Sequence, residues 1–110
     1  MDIKESMNGA THVMEINGRL DTVTAPDFQE KLMSKIGDGK IKLLLHCAGL
    51  SYISSSGLRV FLMALKKIKA GGGQMVLCCL QDSIQEVFDI SGFSTLFTIE
   101  QNCENGLTKF

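Results

Sequence analysis

No excess of charge of either sign marks this chain: eleven lysines and arginines meet twelve aspartates and glutamates, for a formal net charge of −1. The field that draws a protein to nucleic acid or to an anionic membrane surface is therefore absent, and direct binding to either is not expected. The four cysteines, Cys47, Cys78, Cys79 and Cys103, show no C-x-x-C spacing, which removes the common zinc and dithiol redox frameworks. Free thiols are expected, with Cys78 and Cys79 pointing to opposite faces of a strand as small core fillers. The opening residues Met1-Asp2-Ile3-Lys4-Glu5 lack a basic segment leading into an apolar one, and no apolar run is long enough to span a bilayer. The expected location is the cytoplasm.

Catalytic signatures are equally scarce. Only His12 and His46 could serve a nucleophilic serine as base, so a hydrolase would have to bring Ser55, His46 and Asp21 together from separate segments. Gly37-Asp38-Gly39-Lys40 lacks the spacing and following hydroxyl of a phosphate loop, and Gly71-Gly72-Gly73 follows a helix instead of opening one. Neither a metal-ligand cluster nor a dinucleotide-binding glycine pattern is present. No enzyme activity and no cofactor are expected.

What the chain does have is apolar material. At 110 residues, 45% of them hydrophobic, it is the size of one domain that can bury a single core without disulfides or metal. Ile3 to Met7 and His12 to Ile16 alternate around Asn8-Gly9, the pattern of an antiparallel hairpin. Thr24-Ala25-Pro26-Asp27 predicts a helix start, with threonine as cap, proline in the first turn and Asp27 as a capping-box acid; the helix runs roughly from Ala25 to Ile36. Ile41 to Leu45 predicts a buried central strand. A second helix spans about Ser56 to Ala70, a strand Met75 to Leu80, and a third helix opens at the capping-box-like Asp82-Ser83-Ile84-Gln85 and closes at Gly92. A last strand covers Leu96 to Ile99. The fold class is α/β: a mixed, mainly parallel sheet flanked by helices and opening with an antiparallel hairpin.

The densest local signal is Leu50-Ser51-Tyr52-Ile53-Ser54-Ser55-Ser56-Gly57-Leu58, a run of hydroxyls at the entry to the second helix. A helix N-terminus offers unpaired N–H donors and a partial positive charge, so a serine there can cap, and a phosphate there is well tolerated. Three consecutive serines exceed what one cap needs. Along the helix, Leu58, Phe61, Leu62, Leu65 and Ile68 form a core stripe. At 100° per residue, Ser56, Arg59, Val60, Met63 and Lys67 cluster opposite it. That predicts a valine and a methionine exposed beside cations, a docking face.

Four segments, taken together, resemble the STAS domain in its stand-alone form as a bacterial anti-sigma factor antagonist. They are Gly18-Arg19-Leu20-Asp21, the serine run, Gly72-Gly73-Gln74-Met75-Val76-Leu77, and Val87-Phe88-Asp89-Ile90-Ser91-Gly92-Phe93. The likeness covers nearly the whole chain as one domain. In that family the second helix usually opens with aspartate or serine, the phosphorylated serine, a small residue and glycine, which map onto Ser54, Ser55, Ser56 and Gly57. The resemblance thus implies Ser55 as phosphosite, with Ser54 and Ser56 as alternative acceptors because position 54 carries serine where several members carry aspartate. It further implies a partner surface of Asp21, Thr22, Ser54, Ser56, Gly57, Arg59, Val60 and Met63. The implied partners are an anti-sigma factor of the histidine-kinase-like ATPase fold, which binds the unmodified form and phosphorylates it, and a metal-dependent serine phosphatase that resets it. An alternative client for the same fold is a transporter ATPase, with the domain as accessory subunit.

Overall fold

Asn8 and Thr11 pair across a two-residue turn that joins β1 (Asp2–Asn8) to β2 (Thr11–Leu20). The loop residues are Gly9 and Ala10, one position later than the Asn8-Gly9 turn expected. Gly9 alone carries the positive φ, +59°, as the first position of a type II′ turn requires. The computed structural model describes residues 1–110. It continues with α1 (Ala25–Ile36), β3 (Lys42–Ile53), α2 (Ser55–Gly71), β4 (Gln74–Cys78), α3 (Asp82–Ile90), a 3₁₀ turn at Phe93–Thr95, β5 (Thr98–Glu100) and α4 (Cys103–Leu107). The five strands form one sheet in the order β1-β2-β3-β4-β5. β1 is antiparallel to β2 and every other pairing is parallel. This is the mixed, hairpin-led architecture that the alternation of strands and helices predicts.

One face of the sheet carries the main core, where Met14, Ile16, Leu20, Leu43, Leu45, Cys47 and Leu77 meet Phe28 and Leu32 of α1, Phe61 and Leu65 of α2, and Ile84 and Phe88 of α3. Phe61 lies at its centre, its ring centroid 5.8 Å from Phe28, 5.8 Å from Phe88 and 6.4 Å from Phe97. Each such ring contributes on the order of 1.5–3 kcal/mol by leaving water. The other face is covered over a smaller area. There Leu44, Val76 and Cys78 pack under Val13, Cys79, Cys103, Leu107 and Phe110, which seats the short α4 and the C-terminal residues.

Several local expectations give way to tertiary contacts. β3 does not stop at Leu45 but runs on to Ile53, because β2 pairs with it as far as Leu20↔Ile53 despite two register shifts. β4 ends at Cys78 and β5 begins at Thr98, both short of the apolar runs that suggested Leu80 and Leu96. Thr24 stands at the N-cap of α1 without a side-chain cap bond, since its hydroxyl is spent inside the preceding loop. Asp27 pairs with Lys31 at 3.2 Å on the surface and closes no capping box. α3 begins at Asp82 with Gln81 as its uncapped N-cap. Gln85 donates to Asp89 at 3.0 Å and does not reach back to the helix start.

The buried arc of α2 is wider than a single stripe. Gly57, Leu58, Val60, Phe61, Ala64, Leu65 and Ile68 are all buried, about 160° of the helix at 100° per residue, because α1 packs along α2 while both rest on the sheet. Val60, expected at the surface, is 2% exposed. Leu62, expected in the core, lies at the far border of the arc and is half-buried.

Candidate functional site

The parallel pairing of β2 with β3 delivers two loops to the same end of the sheet. Leu20 is the last residue of β2 and Ile53, its register partner, the last of β3. Asp21 and Ser54 therefore leave the sheet side by side, and the N–H of Ser54 donates to the Leu20 carbonyl at 2.9 Å. The carboxyl ends of parallel strands are where such folds present their working loops.

The Asp21 loop is held by its own side chains. Asp21 Oδ1 accepts from the N–H groups of Thr24 and Val23, each at 3.0 Å. The Thr24 hydroxyl accepts from the Asp21 N–H at 2.9 Å and donates to the Arg19 carbonyl at 2.8 Å. The Thr24 amide above all, then that of Val23, holds the Asp21 carboxyl below the usual aspartate range. This Asx-type turn leaves Thr22 exposed and Val23 86% exposed at its tip. Arg19 stacks its guanidinium 4.2 Å from the centroid of the Tyr52 ring and lies 4.0 Å from Asp21. Ser51 Oγ donates to the Gly18 carbonyl at 3.1 Å, adding a second tie between the strands.

The three serines have three different situations. Ser54 is the N-cap of α2, its backbone extended and its Oγ accepting from the Gly57 N–H at 3.3 Å. Ser55, the first helical residue, is exposed, while Ser54 and Ser56 are half-buried. No acidic residue occupies the first turn of α2, so the positive end of the helix dipole meets no negative side chain there. Gly57 lies beneath them. A Cβ at that position would sit 2.7 Å from Leu20 Cγ and 2.9 Å from Ile53 Cγ1, so only glycine lets α2 start this close to the strand ends.

The candidate surface thus gathers Ser55 and Ser56, exposed Arg59 and half-buried Met63 on α2, beside Asp21, Thr22 and Val23. Two residues expected on the contact surface fall beneath it. Val60 faces the core, and Gly57 is buried against Leu20 and Ile53, so both set the position of α2 and neither presents a surface. Val23, Tyr52 and Arg19 belong to the same end of the molecule and received no role from the sequence. The visible signal was an isolated valine amid Asp, Thr and Thr, with no apolar partner at strand or helix spacing.

The catalytic arrangement does not assemble. His46 lies seven residues before Ile53 in β3, on the order of 20 Å by strand rise, and its neighbours in register are Glu15 and Cys78. The Asp21 carboxylate is committed to backbone amides. The four concavities of the surface are lined by other parts of the molecule, and none takes in Ser55 or the Asp21 loop. Such a surface suits a macromolecular partner better than a small substrate. No helix is long and apolar enough to cross a membrane.

The family model of the STAS domain matches residues 3–106. BtrV of Bordetella bronchiseptica is 33% identical over 95 residues, which cover 86% of this chain and 82% of that protein. The anti-sigma-B factor antagonist of Bacillus subtilis is 31% identical over 107 residues, 97% of this chain and 95% of that one. Among solved structures, the anti-sigma factor antagonist SpoIIAA in its unphosphorylated form has a TM-score of 0.81 at 21% identity, covering 98% of this chain and 95% of its own. The phosphorylated form of Bacillus SpoIIAA has a TM-score of 0.74 at the same 21% identity, over 98% of each chain. On the match that runs from the opening hairpin into α4, and on the identity with these relatives over most of its length, the chain belongs to the STAS domain family.

Proposed function

We propose that this chain is an anti-sigma factor antagonist: a regulatory binding module, not an enzyme, that docks through the head of α2 and the Asp21 loop and is switched off by phosphorylation of Ser55. The partner is an anti-sigma factor of the histidine-kinase-like ATPase fold, which also transfers the phosphate, and a metal-dependent serine phosphatase restores the binding form. All three are cytoplasmic.

The observation that carries this reading is the difference among the serines. Ser55 is the exposed one, at the first position of a 17-residue helix, while Ser54 spends its hydroxyl on the cap. A phosphate on Ser54 would cost the cap; on Ser55 it leaves the cap in place and finds the first-turn amides and the helix dipole. It also adds close to two negative charges and a hydration shell to a surface that must shed water on docking. A penalty of about 3 kcal/mol is already more than a hundredfold in affinity. The two states can therefore share one fold.

Affinity capture with wild type and Ser55→Asp as parallel baits, read by mass spectrometry, tests this. A kinase-fold partner held by wild type and lost by the variant, with phosphate on Ser55, is the expected result. Equal capture by both baits, or capture of a transporter ATPase with no phosphoserine, overturns it.

A further inference from the structure

Away from the docking end, the thinly covered face of the sheet holds a second group of reactive side chains. Cys78 ends β4 directly opposite His46 of β3 in the parallel register. Cys79 follows with φ +63°, the one non-glycine residue of the chain at positive φ. An L-residue is held there only where its surroundings impose it. Here the Cys79 N–H donates to the Glu100 carbonyl of β5 at 3.1 Å, which fixes the turn.

The consequence is geometric. On extended backbone two adjacent thiols point to opposite faces, as the sequence suggested. The left-handed turn at Cys79 instead brings a donor atom from each of His46, Cys78 and Cys79 within 4.8 Å of one another. Cys103, the first residue of α4, packs on the same face, against the apolar cluster of Leu44, Val76 and Cys78. His46 Nδ1 is buried with no hydrogen-bond partner, an arrangement native structures rarely leave without a reason.

We propose that His46, Cys78 and Cys79 form a binding site for a thiophilic d¹⁰ cation, zinc being the ion whose preference for mixed nitrogen and sulfur donors fits them. Binding replaces two S–H bonds by two S–Zn bonds, and both protons leave to solvent. An imidazole nitrogen donates its lone pair, and no electron changes hands. Two thiolates neutralise the divalent ion, so the half-buried cluster gains no net charge. The bound ion would staple His46, inside β3, to the end of β4 beneath α4.

The test is a Co²⁺ titration of the reduced, purified chain, followed by Zn²⁺ displacement. A thiolate-to-cobalt charge-transfer band that saturates at one equivalent and is erased by Zn²⁺ is expected, with a rise in Tm when Zn²⁺ is added. Cys79→Ser and His46→Gln, both checked for folding by circular dichroism, should each weaken Zn²⁺ binding by more than about tenfold. Cys47→Ala, which alters a thiol of the helix-covered core, should keep the band. Absence of the band in the folded wild type, or undiminished binding by Cys79→Ser, overturns the proposal. So does mild oxidation that yields a Cys78–Cys79 disulfide in a chain that takes up no metal.

Discussion

The N–H of Ser54 donates to the carbonyl of Leu20 at 2.9 Å, and through that one bond the loop after β2 and the head of α2 are fixed relative to each other. Everything proposed for function depends on this adjacency. Asp21 and Ser54, 33 positions apart in sequence, become a single surface because parallel pairing carries both strands to the same end.

Gly57 should tolerate no side chain. A Cβ there meets Leu20 and Ile53 at less than 3 Å, so α2 must shift or the strand ends must yield. Gly57→Ala is expected to cost about 1–3 kcal/mol, the range of overpacked cores, with a matching fall in the urea midpoint. A midpoint equal to wild type would show that the helix head is not closely packed.

Ser54 and Ser55 should separate cleanly by mutation. Ser54→Ala removes the cap to Gly57 and should lose about 1 kcal/mol of stability. Ser55→Ala removes an exposed hydroxyl and should leave the melting curve within about 0.5 kcal/mol of wild type. Reversal of that order would exchange the roles assigned to the two residues.

The core around Phe61 offers a direct check of the packing. Its ring touches those of Phe28, Phe88 and Phe97 and is fully buried. Phe61→Ala should cost about 3–5 kcal/mol, a large share of the total stability of a domain this size. Chemical denaturation measures it.

Asp21 makes stability depend on pH in a defined window. Its carboxyl is held below the ordinary value of 3.8, chiefly by the Thr24 amide. A folded-state value below the unfolded one contributes stability that is present above the unfolded value and lost as pH falls through the folded one. Asp89, bonded by Ser94 and Gln85, acts in the same window and with the same sign. The urea midpoint of Asp21→Asn should lie below wild type at neutral pH, and the difference should close as both are taken to about pH 2. A difference that persists at low pH would assign the effect to lost packing and not to charge.

Much of the fold was legible in the chain, and the misses have physical causes. α1 occupies the span that Pro26, the fourfold spacing of Phe28, Leu32 and Ile36, and Gly37 predict. The hairpin and the parallel order follow from alternation and chain connectivity. The extension of β3 to Ile53 was hidden because Gly49, Ser51 and Tyr52 carry no strong strand pattern, and pairing with β2 supplies what propensity does not. Val60 was misplaced because a helix read alone shows one buried stripe, whereas a helix flanked by a neighbour buries an arc. The Cys79 thiol was misplaced because alternation holds only for extended backbone, and nothing local announces a cysteine at φ +63°. For the site, the serine run was visible as a helix start with surplus hydroxyls. The side-by-side exit of Asp21 and Ser54 depends on register, which no single segment encodes.

The most direct test of the central claim is the affinity of the isolated kinase-fold partner for two forms of this chain, unmodified and fully phosphorylated at Ser55, measured by calorimetry on the same day and buffer. Tight binding of the unmodified form and at least a hundredfold weaker binding of the phosphorylated form, about 2.7 kcal/mol, with both forms melting at closely similar temperatures, is the predicted result. Equal affinity for the two forms would contradict a switch at Ser55.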